Sequence, residues 1–374
     1  MNSDSNEHNR SEDFRAFSSI NDDVWHNDRA TGAYEWWYFD ATSDDGRDVF
    51  VVIFLTNFIF SPRYNRSVKG LCADNASTPA RFPAVSIWWY RDGKVFLRTI
   101  KEFSSEHFSA NTDAPACRIG NSSFHLHRSN GEAHYRLQLD ETLRHGRKLQ
   151  ASLDWLVSEG DFDRELNDAR PAPSSSGHEW NMVAPKCHVS GTLILVEPNG
   201  GKQAHEFCGT GYHDHNRDGR PLVQTVAAWQ WGRAHFADRT IVFYRYAGRD
   251  SGQTHVSRLF IAHDNKLVVC DAQFVEADMR RDLFGLRYPR MLHIRFRHET
   301  GAPAALRVEQ RHVLESSFFY LRFAGKAWLE TKDEKEQQAS LVSEYLAPRA
   351  LGWRSLHWLI NMRIGRENRS SFLP

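Results

Sequence analysis

The chain has 374 residues, with 47 Lys and Arg against 47 Asp and Glu, so its formal net charge is zero with histidine neutral. That balance gives no global field that would recruit nucleic acid or an anionic surface, and any membrane attraction has to be local. Five cysteines, Cys72, Cys117, Cys187, Cys208 and Cys270, contain no CxxC pair, which argues for reduced, mostly packing thiols in a cytoplasmic protein rather than a disulfide framework or zinc knuckle.

The opening MNSDSNEHNRSEDF has neither a basic start nor an apolar core, so residues 1–20 are expected to form a disordered tail and not a signal peptide. YEWWYFD follows, from Tyr34 to Asp40. On a strand, Glu35, Trp37 and Phe39 share one face and Trp36, Tyr38 and Asp40 the other, and neither face is purely apolar. The apolar run over residues 49–60 contains Thr56 and Asn57, and it is far short of the roughly 20 residues of a spanning helix.

An alternating aromatic or β-branched run, a turn pair ending in Gly and a second such run recur along the chain, and this is the pattern of a β-hairpin. The turns are Asp45-Gly46, Asp92-Gly93 and Asn130-Gly131 in the first half; in the second, CHVSGTLILV and QAHEFCGTGY flank Pro198 to Gly201. The WWY of Trp36 to Tyr38 returns as Trp88 to Tyr90 without a fixed period, so it is a reused strand pattern and not a solenoid repeat. Long helical periods are almost absent before residue 340, which predicts an all-β antiparallel fold whose sheets close into barrels.

The polar segment GDFDRELNDARPAPSSSG, residues 160–177, is the expected linker between an N-terminal domain over 21–177 and a C-terminal domain over 178–340. Beyond it, Leu346, Ala350, Trp353, Leu356 and Ile360 recur at helical spacing beside Arg349, Arg354, Arg363 and Arg366. Residues 341–374 are therefore expected to be an amphipathic helix and tail. Residues 341–366 could dock on the barrel or make peripheral contact with a membrane.

Two stretches carry polar residues that barrel packing does not require: GHEWNMVAPKC and GTGYHDHN. If both are extended, His178 with Trp180 and Tyr212 with Asp214 each project to one side of their strand. His213 and His215 would point the opposite way. They could ligate a metal with a carboxylate from elsewhere, but spacing fixes no third ligand and no metal site is assigned. The GTG of Gly209 to Gly211 lacks the third glycine or the Lys-Ser/Thr pair of a phosphate loop.

YEWWYFD, FSPRY at Phe60 to Tyr64, HEWNMVAPKC, GTGYHDHN and AWQWGRA at Ala228 to Ala234 together resemble the acyclic carotenoid 1,2-hydratases, within a wider lipocalin-like group. The resemblance implies two consecutive lipocalin-like antiparallel β-barrel domains, to which the C-terminal helix expected from spacing is added. It also implies a cofactor-independent hydro-lyase that adds water to the terminal C-1,2 double bond of acyclic carotenoids such as lycopene and neurosporene. Asp214 falls on the position of the proton donor, and His178, Trp180 and Tyr212 complete the catalytic set. Trp229, Trp231 and Trp37 are the substrate-pocket candidates. Hydrating an alkene requires an acid that stays protonated against a hydrocarbon, and burial among aromatics supplies that for an aspartate whose ordinary pKa is about 3.9. Two other classes stay open: a non-catalytic carrier of a carotenoid or other isoprenoid, and a cyclase or pericyclase that uses the same lining and excludes water.

Overall fold

The computed structural model describes residues 14–70, 80–166, 177–249, 254–298, 301–332, 335–367 and 369–372. Cys72, and residues 167–176 of the expected linker, lie outside the described residues. The chain divides by its internal contacts into two units, one of residues 15–221 and 354–374 and the other of residues 1–14 and 222–353.

The larger unit is built on a sheet. Its early strands are β1 (Phe14–Ser18), β2 (Tyr34–Ser43), β3 (Asp48–Leu55), β4 (Ala84–Arg91), β5 (Lys94–Glu102), β6 (Phe108–Ala110) and β7 (Ala116–Ile119). They are followed by β8 (Ser122–Ser129), β9 (Glu132–Thr142), β10 (Lys148–Glu159), β11 (Arg164–Glu165), β12 (His178–Val196) and β13 (Lys202–Asp218). The three predicted Gly-turn hairpins in this unit are present as β2–β3, β4–β5 and β8–β9. Positive φ at both Asp92 and Gly93, and at both Asn130 and Gly131, is the backbone signature of the tight turn that matches strand twist.

The strand order is β5-β4-β3-β2-β13-β12-β10-β9-β8-β7-β6. The first part of the chain therefore meets the later part at β2–β13, with Asp214 opposite Tyr38. The sheet curls until distant strands face one another: the ring of Trp37 on β2 lies 5.6 Å from that of Phe124 on β8. Its concave side is one apolar core that includes Trp37, Phe39, Phe54, Trp89, Leu137 and Trp155. Gly209 and Gly211 belong to this architecture and not to a phosphate loop. A Cβ on Gly209 would lie 2.2 Å from the Thr42 carbonyl oxygen, and one on Gly211 would lie 2.5 Å from Val189.

The other unit is a closed antiparallel barrel of β14 (Val226–His235), β15 (Thr240–Gly248), β16 (Thr254–His263), β17 (Lys266–Arg281), β18 (Arg287–Arg297), β19 (Pro303–Ser316), β20 (Tyr320–Glu330) and β21 (Gln337–Leu346). Ala234, Phe243, Leu259, Ile294, Leu306 and Leu341 are among the side chains that fill it.

The all-β reading holds, with one closed barrel and one curled open sheet in place of two barrels. Three boundaries differ from the sequence expectation. The division between units falls after Pro221 and not at 177, because β12 and β13 pair with β10 and β2. The N-terminal tail ends earlier than residue 20, since Phe14, Ala16 and Phe17 are buried and β1 starts there. No continuous helix covers 341–366: β21 runs to Leu346, and two short 3-10 turns (Pro348–Gly352 and Arg354–Leu356) lead into a helix of only six residues, His357–Met362, before β22 (Gly365–Arg366) pairs in parallel with β5.

Candidate active site

On β13 the side chains of Tyr212, Asp214 and Asn216 alternate with those of His213 and His215, so one strand serves two faces. The convex face carries the first set. Trp180 on β12 lies opposite Asn216, and Tyr38 and Trp36 on β2 lie opposite Asp214 and Asn216. The Asp214 carboxylate accepts three hydrogen bonds there. The Trp180 indole N–H and the Tyr212 hydroxyl both donate to Oδ2, at 3.0 and 2.9 Å, and Asn216 Nδ2 donates to Oδ1 at 2.8 Å. Trp180 and Tyr212 are fully buried, and Asp214 and Asn216 are each 5% exposed.

His178, also fully buried, sits at the head of β12. Burial, reinforced by the nearby Arg220 guanidinium, pushes its pKa down to about 3, although a hydrogen bond with the Asn216 side chain works in the other direction. Asn216 thus joins His178 to Asp214. The Tyr34 hydroxyl lies 3.3 Å from His178 Nδ1, and Tyr34 stacks on Trp36 with ring centroids 5.2 Å apart. Tyr38 meets Tyr212 edge to face at 6.2 Å.

The concave face holds the histidines. His213 Nε2 lies 2.9 Å from Asp23 Oδ2, and its Nδ1 lies 2.9 Å from the Tyr38 carbonyl oxygen. His215 bridges two acids, with Nδ1 3.1 Å from Asp23 Oδ1 and Nε2 2.8 Å from Glu35 Oε1. The Tyr135 hydroxyl donates to Asp23 at 2.6 Å, and His26 Nδ1 lies 2.8 Å from Glu35. Burial alone would raise the carboxyls of Asp23 and Glu35, but the histidines outweigh it and hold each at about 2. Burial likewise opposes charge on His215, and the two carboxylates overcome it, lifting the ring to about 9. Among the described residues, His26, Glu35 and His215 bring ligand atoms within 4.8 Å of one another and are the group near this site that could hold a metal; His127, His134 and Asp154 form a second group, partly exposed, on β8–β10.

The four residues His178, Trp180, Tyr212 and Asp214 are therefore brought together. Trp37 is not with them: it belongs to the concave core and stacks on His215 at 4.7 Å, so the convex tryptophan of YEWWYFD is Trp36. Trp229 and Trp231 lie on β14 in the other unit, alternating with the barrel-interior Ala234 and so outside that core. Sequence reading passed over Asn216, although its spacing of two from Asp214 was the available signal, and over Tyr34, Trp36 and Tyr38.

Residues 52–373 match the family model of the carotenoid hydratase CrtC. The chain belongs to this family. Among its relatives, a hydroxyneurosporene dehydrogenase of Chlorobaculum tepidum is 27% identical over 93% of this chain and 91% of its own length. An acyclic carotenoid 1,2-hydratase of Rubrivivax gelatinosus is 28% identical over 78% of this chain and 64% of its own. Of solved structures, CghA with Sch210972 superposes with a TM-score of 0.58 at 11% identity, covering 88% of this chain and 97% of that one, a likeness of fold. The family makes the protein a carotenoid hydratase, a hydro-lyase whose reactants are a carotenoid and water.

Proposed function

We propose that the protein hydrates the terminal C-1,2 double bond of an acyclic carotenoid such as lycopene or neurosporene, without a cofactor, with Asp214 as proton donor. The observation that carries this reading is the buried Asp214 carboxyl held by Trp180, Tyr212 and Asn216. Protonating C-2 leaves the positive charge on C-1, a tertiary carbon, and water then adds at C-1.

Burial favours the neutral acid, whereas three donors favour the carboxylate. A protonated Asp214 keeps Trp180 and Asn216 as donors while the Tyr212 hydroxyl turns to accept from it, since a phenol can do either. Tyr212 thus lets the carboxyl change protonation state without stranding a buried donor. When the proton passes to C-2, the carboxylate left behind meets two donors already in position, Trp180 and Asn216, and the Tyr212 hydroxyl turns back to supply the third. The faces of Trp180 and Tyr212 attract the carbocation, worth about 2 kcal/mol for each desolvated contact, or roughly 30-fold in rate. Asp214 recovers its proton from the captured water. With a pKa near 3, His178 stays neutral and acts by holding Asn216 rather than by carrying a proton.

A carrier for a hydrocarbon gains nothing from a buried carboxyl, which favours the catalytic reading over a binding protein. No helix among the described residues is long and apolar enough to cross a membrane. We infer a cytoplasmic enzyme that meets its membrane-borne substrate at the inner membrane surface. Expression in a lycopene-accumulating bacterial host, followed by pigment mass analysis, tests the activity: a gain of one water is expected, and unchanged pigment beside folded protein refutes it.

A further inference from the structure

In the barrel unit, the β17–β18 hairpin ends in a tip that combines an outstanding apolar side chain with uncompensated positive charge. Leu283 is 91% exposed, more than any other large apolar residue in the described chain. Its loop is nonetheless well built. Asp282 Oδ1 accepts from the backbone N–H groups of Phe284 and Leu286, its Oδ2 accepts from Ser316 Oγ at 2.6 Å, and the Phe284 ring rests 4.6 Å from that of Phe318. The acid of the loop is thus turned inward, and Leu283 is held outward.

Behind it, Arg281 and Arg287 stand directly opposite each other across the two strands, both exposed and neither with an ion-pair partner among the described residues. Directly opposed like charges weaken a strand pair. An anion between them reverses the sign of that interaction. An isolated exposed leucine needs no explanation, but a convex apolar tip ahead of a paired cationic fork matches the two layers of an anionic bilayer: phosphates at the depth of the arginines, acyl chains at the depth of the leucine.

We propose that the β17–β18 tip is a docking finger for anionic lipid, with Leu283 entering the acyl boundary and Arg281 and Arg287 engaging lipid phosphates. Docking stands by itself; its role in supplying substrate rests on the carotenoid reading above.

The test is co-sedimentation of the full-length protein with phosphatidylcholine vesicles, with and without phosphatidylglycerol. Wild type is expected on the anionic vesicles, and Leu283→Glu and the double change Arg281→Glu with Arg287→Glu each lower the bound fraction by about tenfold at unchanged Tm. Trp358→Ala, altering an exposed apolar side chain away from the tip, retains binding. Absence of wild-type binding, binding by the tip variants equal to wild type, or loss in Trp358→Ala alone overturns the proposal. So does equal displacement by inorganic phosphate and by added anionic vesicles, which would mark a simple anion site. Hydration by Leu283→Glu is expected to fall for vesicle-borne carotenoid and stay unchanged for detergent-dispersed carotenoid. If wild type turns over neither form yet binds vesicles, the activity reading fails and the docking stands.

Discussion

Asp214→Asn preserves shape and removes the acid. An amide can offer one oxygen and one NH2, whereas Asp214 receives donors on both oxygens. The better orientation points the new oxygen at Trp180 and Tyr212 and sets the NH2 against Asn216 Nδ2, two buried donors facing each other. Leaving such a donor unpaired costs about 1–3 kcal/mol, and a unit of this size loses about 2–4 °C of Tm per kcal/mol. The variant should therefore fold, with Tm lowered by about 2–12 °C. Loss of a positioned acid should reduce kcat by about 100- to 10,000-fold. The assay is hydration of detergent-dispersed lycopene by the purified variant, followed by chromatography and mass analysis. Folded Asp214→Asn enzyme turning over within about threefold of wild type would refute the assignment of Asp214 and the mechanism built on it.

The two tryptophans of YEWWYFD should separate by readout. Trp37→Phe removes part of the concave core and the indole bond to the Asp23 carbonyl, and should lower stability by about 2 kcal/mol with kcat/KM per folded molecule unchanged; Trp36→Phe should change kcat/KM, and the opposite pattern in steady-state kinetics and denaturant melts would reverse the face assignment. Stability should peak near pH 6.5. His215, raised from 6.5 to about 9, contributes about 3 kcal/mol that is complete below 6.5 and lost as pH rises through 9. His178, held near 3, stays neutral while the unfolded chain takes up its proton, removing about 1.4 kcal/mol per pH unit below 6.5; the protection given by Asp23 and Glu35 is lost as pH falls from about 4 toward 2. Thermal melts across pH check this, and a maximum displaced by more than about one unit would show that other groups dominate.

The hairpins were legible because a turn such as Asn130-Gly131 is a local event, decided by backbone sterics within four residues. The pairing of β2 with β13 was not. It joins segments some 175 residues apart, as Tyr38 to His213, and leaves no mark on local composition, so a polar connection inside the sheet unit read as a boundary between domains. Trp36 and Trp37 could not be told apart because nearly all of β2 is buried on both faces, which erases the usual polar alternation. Asp214, Tyr212, Trp180 and His178 emerged through motif spacing, and the same spacing applied once more reaches Asn216. The C-terminal helix was an accident of period: Leu346 ends a barrel strand, and Trp353 lies in the break between two short turns.

Asp214 lies in the interior of a strand paired on both sides, with glycines at 209 and 211 fitted against neighbouring backbone and side chains. An insertion or deletion of one residue between Gly211 and Asn216 would exchange carboxylate for imidazole on the convex face and send the carboxylate into the concave core. Length variation is therefore closed to this segment. Within it, change is limited to point replacement, and lengthening or shortening of the chain belongs to the strand connections.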